Sequence, residues 1–156
     1  MPERLMADDK PRTLYLVRRL QIATYLEMER VLRPFDITPT QYMVMSSLAL
    51  RGRSSSAQLS RRFSVRPQSM IKLILGLEQL GHVQRVAREG DRRVLEISLS
   101  KSGKRSLGKC DQAVDALEGR MLAGLSEERH ADLRETIRLI LDQVGSVDPK
   151  LSGTGT

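Results

Sequence analysis

Residues 67–99 read PQSMIKLILGLEQLGHVQRVAREGDRRVLEISL, and the apolar period changes partway through. From Pro67 onward, Met70, Leu73, Ile74 and Leu77 recur at i, i+3, i+4 and i+7, the stripe of an amphipathic helix. Pro67 disfavours a helical Arg66 and so sets the start. Gly81 supplies the stop. Beyond it the period falls to two. Val83, Arg85 and Ala87 alternate with Gln84 and Val86; Val94, Glu96 and Ser98 alternate with Leu95, Ile97 and Leu99. The polar run from Arg88 to Arg93, with Gly90 inside it, joins the two, so this is a β-hairpin with a charged tip.

Upstream, Ser55-Ser56-Ala57-Gln58 is a Ser-x-x-Gln capping box. It opens a short helix that ends near Phe63. That helix, the Ser64-Val65-Arg66 turn and the helix from Pro67 form a helix-turn-helix candidate, and the hairpin that follows is its wing. Thr38-Pro39-Thr40-Gln41 opens a further helix by the same capping logic, with proline at the first helical position. It runs to about Leu50 with Tyr42, Met45, Leu48 and Ala49 as expected core. A first helix spans Thr13 to Leu32 and is ended by Pro34. It is apolar on two sides, Leu16, Leu20 and Ala23 on one and Leu14, Val17, Thr24, Met28 and Val31 on the other, and therefore needs two packing partners.

Downstream, a helix from about Ser100 to Ala123 carries Leu107, Cys110, Val114, Leu117 and Met121 at helix-packing spacing. Ser126 caps a last helix, with Glu127 and Glu128 at its positive end. Leu133, Ile137, Ile140, Leu141 and Val144 share one of its faces. The fold class is thus mainly α with a small β-hairpin wing (α+β). Residues 36–99 form a winged helix-turn-helix unit, flanked by helical segments at 13–35 and 100–146. The stretches 1–12 and 147–156 read as tails.

The chain has 156 residues and a formal net charge of +7. The charge is concentrated: residues 51–109 hold 14 Lys or Arg against 4 Asp or Glu. A basic segment between mildly acidic ends marks where a polyanion docks. With no Trp, two Phe and three Tyr, the core must be aliphatic. One cysteine excludes an intrachain disulfide and fits a reducing cytoplasm. No apolar run approaches a membrane span, and Met1–Arg12 lacks the apolar stretch of a signal peptide. No phosphate loop, catalytic triad, metal cluster or cofactor motif stands out, so nothing positive supports an enzyme. His82 and His130 read as ordinary surface or turn histidines.

The exposed face of the helix from Pro67 offers Arg66, Gln68, Ser69 and Lys72. These are residue types that read base edges or hold phosphates in double-stranded DNA. Arg61, Arg62, Arg85, Arg88, Arg92 and Arg93 flank that face. A winged helix used for protein contacts and a weakly specific nucleoid-associated protein are the alternatives.

The sequence resembles the MarR family of bacterial transcriptional regulators. The likeness is carried by LRPFDITPTQY at 32–42, SAQLSRRF at 56–63, LEQLGHV at 77–83, Asp91-Arg92-Arg93, LSKSG at 99–103 and LSEE at 125–128, in that order. The resemblance implies a cytoplasmic homodimer joined through its first, fifth and sixth helices. It implies a repressor that reads a pseudo-palindromic operator and is released by a small molecule or an oxidant. It places the wing arginine Arg93 in the minor groove, with Asp91 holding an arginine in position and Arg92 left for phosphate. It also places an effector pocket among the first, second and fifth helices, where Arg19, Tyr42 and Met45 are the candidates. The redox cysteine of some members lies in the first helix, and this chain has none there. Cys110 therefore reads as structural, with pairing across a dimer seam as the other possibility. Ile71, Leu75 and Gly76 depart from the family pattern. Ile71 either touches a thymine methyl or packs under the wing, with packing favoured; Gly76 would admit another backbone.

Overall fold

A computed structural model of the chain describes residues 6–7 and 10–144. The elements in order are β1 (Met6–Ala7), β2 (Lys10–Pro11), α1 (Thr13–Leu32), α2 (Pro39–Arg51), α3 (Ser56–Arg62), α4 (Pro67–Gln79), β3 (Val83–Arg88), β4 (Asp91–Leu99), α5 (Lys101–Leu122) and α6 (Glu127–Val144). A single 3₁₀ turn, Arg33–Phe35, follows α1. The expected amino-terminal tail is in part a small antiparallel ladder, Met6 opposite Pro11 and Ala7 opposite Lys10. The expected tail at 147–156 lies outside the described residues.

Both capping boxes form. The Thr38 and Ser55 hydroxyls accept the backbone N–H of Gln41 and Gln58, and each glutamine side chain accepts the cap residue's own N–H in return. These bonds satisfy donors that a helix start otherwise leaves orphaned.

The core lies where α2, α3, α4, the hairpin and the first half of α5 converge. Leu32, Ile37, Val44, Met45, Leu48, Leu59, Met70, Ile74, Leu77, Val83, Ile97, Leu99, Leu107 and Cys110 form one buried cluster. Ala49 was an expected member but is exposed, and Val44 is buried in its place. At about 100° per residue, the inward face of α2 centres on Gln41, Val44, Met45 and Leu48, which leaves Ala49 on the flank. Met121, at the end of the α5 seam, is also exposed. His82 is buried, not at the surface.

β3 and β4 pair antiparallel from Val83 opposite Leu99 to Ala87 opposite Leu95. A third segment joins them: Ser54 and Ile97 exchange both backbone hydrogen bonds, at 3.1 and 2.8 Å. This bridge anchors the base of the wing to the loop between α2 and α3. α6 has no buried residue. It is held to α5 at Glu118, which pairs with Arg134 at 3.1 Å and lies 3.6 Å from His130.

Candidate nucleic-acid interface

α3 and α4 meet through a tight turn. The Val65 N–H reaches the Ser60 carbonyl at 3.0 Å, and Ser64 adopts a left-handed φ of 50°. Pro67 then starts α4 with no side-chain cap and no acid in its first turn. The positive end of α4 is therefore open to an anion. α4 buries Met70, Ile74 and Leu77 and turns Arg66, Gln68, Ser69 and Lys72 outward. Those four are the residues expected from the sequence. Ile71 and Leu75 are half-exposed on the same side, so the packing expected for Ile71 is not what the structure has. Gly76 accommodates a side chain and not a backbone: a Cβ there would stand 3.1 Å from the Gln41 amide nitrogen.

The cations around this face divide into two sets. Arg85 is paired with Glu78 at 2.9 Å and Arg88 with Glu96 at 2.8 Å. Arg62 donates to the Ser47 and Ser54 hydroxyls at 2.7 and 3.4 Å, fastening α3 to α2 and to the loop between them. Arg61, Arg66, Lys72, Arg92 and Arg93 are exposed and make no side-chain hydrogen bond or ion pair among the described residues. Glu78 and Glu96 are thus spent on Arg85 and Arg88, and Arg62 on two serine hydroxyls, while Arg61, Arg66, Lys72, Arg92 and Arg93 face solvent.

At the wing tip, Glu89-Gly90 makes the turn, with Gly90 at φ 84°. Arg88 pairs with Asp91, after which the register jumps, so Arg92, Arg93 and Val94 bulge out of the ladder. The Asp91 carboxylate accepts the backbone N–H of Arg93 at 3.1 Å. Asp91 therefore holds the backbone that carries Arg93, not the guanidinium expected from its charge. This local Asx-type bond sets the direction of the bulge.

The three residues expected around an effector are dispersed. Met45 is fully buried in the core. The Tyr42 hydroxyl donates to Asp111 at 2.8 Å, tying α2 to α5. Burial, then that bond, push the Tyr42 pKa up to about 12. Arg19 is exposed on α1 and lies 5.8 Å over the Tyr15 ring. An apolar groove of about 340 Å³ lies elsewhere, between α1, the start of α2 and the turn into α4, walled by Tyr25, Met28, Met43, Phe63 and Val65. No period or spacing marks it, because three separate elements contribute to it. Cys110 is fully buried, and burial with the neighbouring Asp111 charge raises its thiol pKa to about 11. It stays protonated near neutrality and acts as a small apolar side chain.

Residues 35–94 match the MarR family model. The HTH-type transcriptional repressor Rv2887 of Mycobacterium tuberculosis is 29% identical over 141 residues, covering 90% of this chain and 98% of its own length. The chain is similar to MarR family proteins over most of its length. It is a MarR-type winged-helix transcriptional regulator. The repressor MdtR of Bacillus subtilis is 27% identical over 81% of this chain and 79% of its own length. A structure of the M. tuberculosis protein in complex with p-aminosalicylic acid matches with a TM-score of 0.69 at 26% identity, over 83% of this chain and 98% of that one. A mutant E. coli MarR complexed with operator DNA matches with a TM-score of 0.73 at 22% identity, over 81% and 91%. At that identity the E. coli likeness speaks for the fold alone.

Proposed function

We propose that this MarR-type regulator is a homodimeric repressor that grips a pseudo-palindromic operator and releases it when a small molecule binds. One observation carries the reading: Arg61 on α3, Arg66 and Lys72 on α4 and Arg92 and Arg93 at the wing tip are exposed and unpaired among the described residues, and the positive end of α4 has no side-chain cap. Phosphate contacts supply affinity and register, and base-edge contacts supply sequence preference. Gln68, Ser69 and Lys72 read the major groove, Arg66 and Arg61 hold backbone phosphates, and Arg62 is positioned by Ser47 and Ser54 close behind them. Arg93 enters the adjacent minor groove, where a narrow A·T-rich tract attracts a guanidinium. Arg92 meets phosphate, and Asp91 aims the bulge. In this division of labour residues 36–99 bind DNA and residues 13–35 and 100–146 hold the dimer, inside the cytoplasm.

The effector enters the groove between α1 and the turn into α4. Its volume suits a small ligand. An aromatic acid of the kind the M. tuberculosis relative holds in its crystal structure would press Phe63 and Val65, and with them the start of α4.

The experiment is duplex selection from a random library, followed by binding against salt. Arg92→Ala weakens all sequences and lowers the salt slope by about one unit. Arg93→Ala costs about 1–3 kcal/mol and relaxes preference at the outer flanks of the site. Lys72→Ala acts on the inner half-site. Full affinity and unchanged flank preference in Arg93→Ala remove the wing from the mechanism. Retention of every duplex alike points to a nucleoid-type protein, and retention of none to a protein-contact module.

A further inference from the structure

Ile71 and Leu75 are 45% and 44% exposed in the middle of the outward face of α4. They alternate with the polar readers: Gln68, Ile71, Lys72 and Leu75 follow one another at three, one and three residues, which keeps all four on one side of the helix. Lys72 shares that side of the helix, Arg66 stands at its start and Arg61 on α3, all three exposed and unpaired among the described residues. An apolar protein partner seated here would have to bury those cations. A polyanion would not, and in the major groove the one apolar group on a base edge is the C5 methyl of thymine.

We infer that Ile71 and Leu75 are specificity-determining residues that select thymines in each half-site by packing against their methyl groups. The inference rests on the DNA-binding reading above and adds to it which bases the helix face selects. Geometry limits the pattern. Residues four apart on a helix are about 6 Å apart along its axis, close to two base-pair steps of about 3.4 Å. Each half-site should therefore contain two methyl-sensitive positions within two or three base pairs of each other, bracketing the position read by Lys72.

The experiment replaces thymine by deoxyuracil, one position at a time, in the duplex recovered by selection. This removes a methyl group and leaves every hydrogen-bonding edge in place. Burying one methyl-sized group is worth about fourfold in affinity. For the wild type, affinity falls by about fourfold at each of two neighbouring inner positions and is unchanged elsewhere. Ile71→Ala abolishes the loss at one position and Leu75→Ala at the other, while each binds the unmodified duplex more weakly. Both changes place a good helix former on a half-exposed site, and the wild-type measurement needs neither variant. Tight, selective binding by the wild type with no response to deoxyuracil anywhere in the half-site overturns the inference and leaves the DNA-binding reading standing. Failure to retain any duplex overturns that reading, and this one with it.

Discussion

His82 sits where α4 passes the chain to the wing. Its N–H bonds the Leu77 carbonyl at 2.9 Å, its carbonyl accepts the Ser100 N–H at 3.0 Å, and its ring is buried with Nδ1 lacking a partner among the described residues. Burial disfavours the imidazolium, so the folded-state pKa lies below the ordinary value of 6.5. The unfolded chain then binds a proton that the folded chain refuses. Stability is full above about pH 6.5, is lost as the pH falls below it, and levels off beneath the folded-state pKa. Urea midpoints across that range should fall for the wild type and lose this component in His82→Gln; an equal slope in both assigns the pH dependence to other groups. Nothing around His82 in the sequence gives this away. A lone histidine after a helix-stop glycine reads as a turn residue, and the contacts of its backbone with Ser100 and Gly103 come from about twenty residues downstream. Asp91 was half legible in the same sense. Its charge marks it as an organiser beside two arginines, but the choice of a backbone N–H over a guanidinium belongs to the geometry of the bulge.

The elements were the most legible level, because their ends are written in local chemistry. Pro67, the two capping boxes and the change of period at Gly81 set the observed starts and stops of α2, α3, α4 and β3. The Ser54–Ile97 bridge was not legible, since one paired residue has no period. The joint between α4 and α5 was only half so. There the Ser100 hydroxyl caps α5 by accepting the Gly103 N–H at 2.8 Å and donates to the Gly81 carbonyl at 2.6 Å. Gly103 lies so close beneath His82 that an added Cβ would overlap the His82 carbonyl oxygen. Backbone is on the other side of that contact, so no flexible side chain can give way. Gly103→Ala should therefore destabilise the protein by about 1–3 kcal/mol despite the better helix propensity of alanine. Gly108 lies in the same helix with nothing near its Cβ position. Gly108→Ala should instead stabilise by up to about 1 kcal/mol. Denaturant unfolding of the two variants side by side separates the steric contact from propensity; equal effects would dismiss it.

At the scale of the whole molecule, the single chain leaves its terminal helices unfinished. α1 exposes Leu14, Leu16, Val17, Leu20, Ile22 and Leu26, with Leu14 at 81%, and α6 exposes Ile137, Leu139, Ile140, Leu141 and Val144, the last at 67%. Scattered apolar residues on a surface are ordinary, but two helices with continuous apolar sides are an interaction surface. The sequence already showed α1 to be apolar on two sides; what it could not show is how little of that surface α5 covers. In the proposed homodimer a second copy of the chain would supply matching helices without any further component, because a two-fold interface sets the same patch against itself. Light scattering at micromolar concentration should give twice the chain mass of 17.6 kDa. Leu141→Glu places a charge in the exposed face of α6 and touches nothing in the buried cluster around α2 and α4. It should shift the mass toward that of one chain while the helical signal of the winged unit persists. Operator binding should then weaken and steepen with protein concentration, because each half-site is held by a subunit that must find its partner on the DNA. A wild type that scatters as a single chain would leave the apolar sides of α1 and α6 to some other partner and would remove the two-fold logic of the operator.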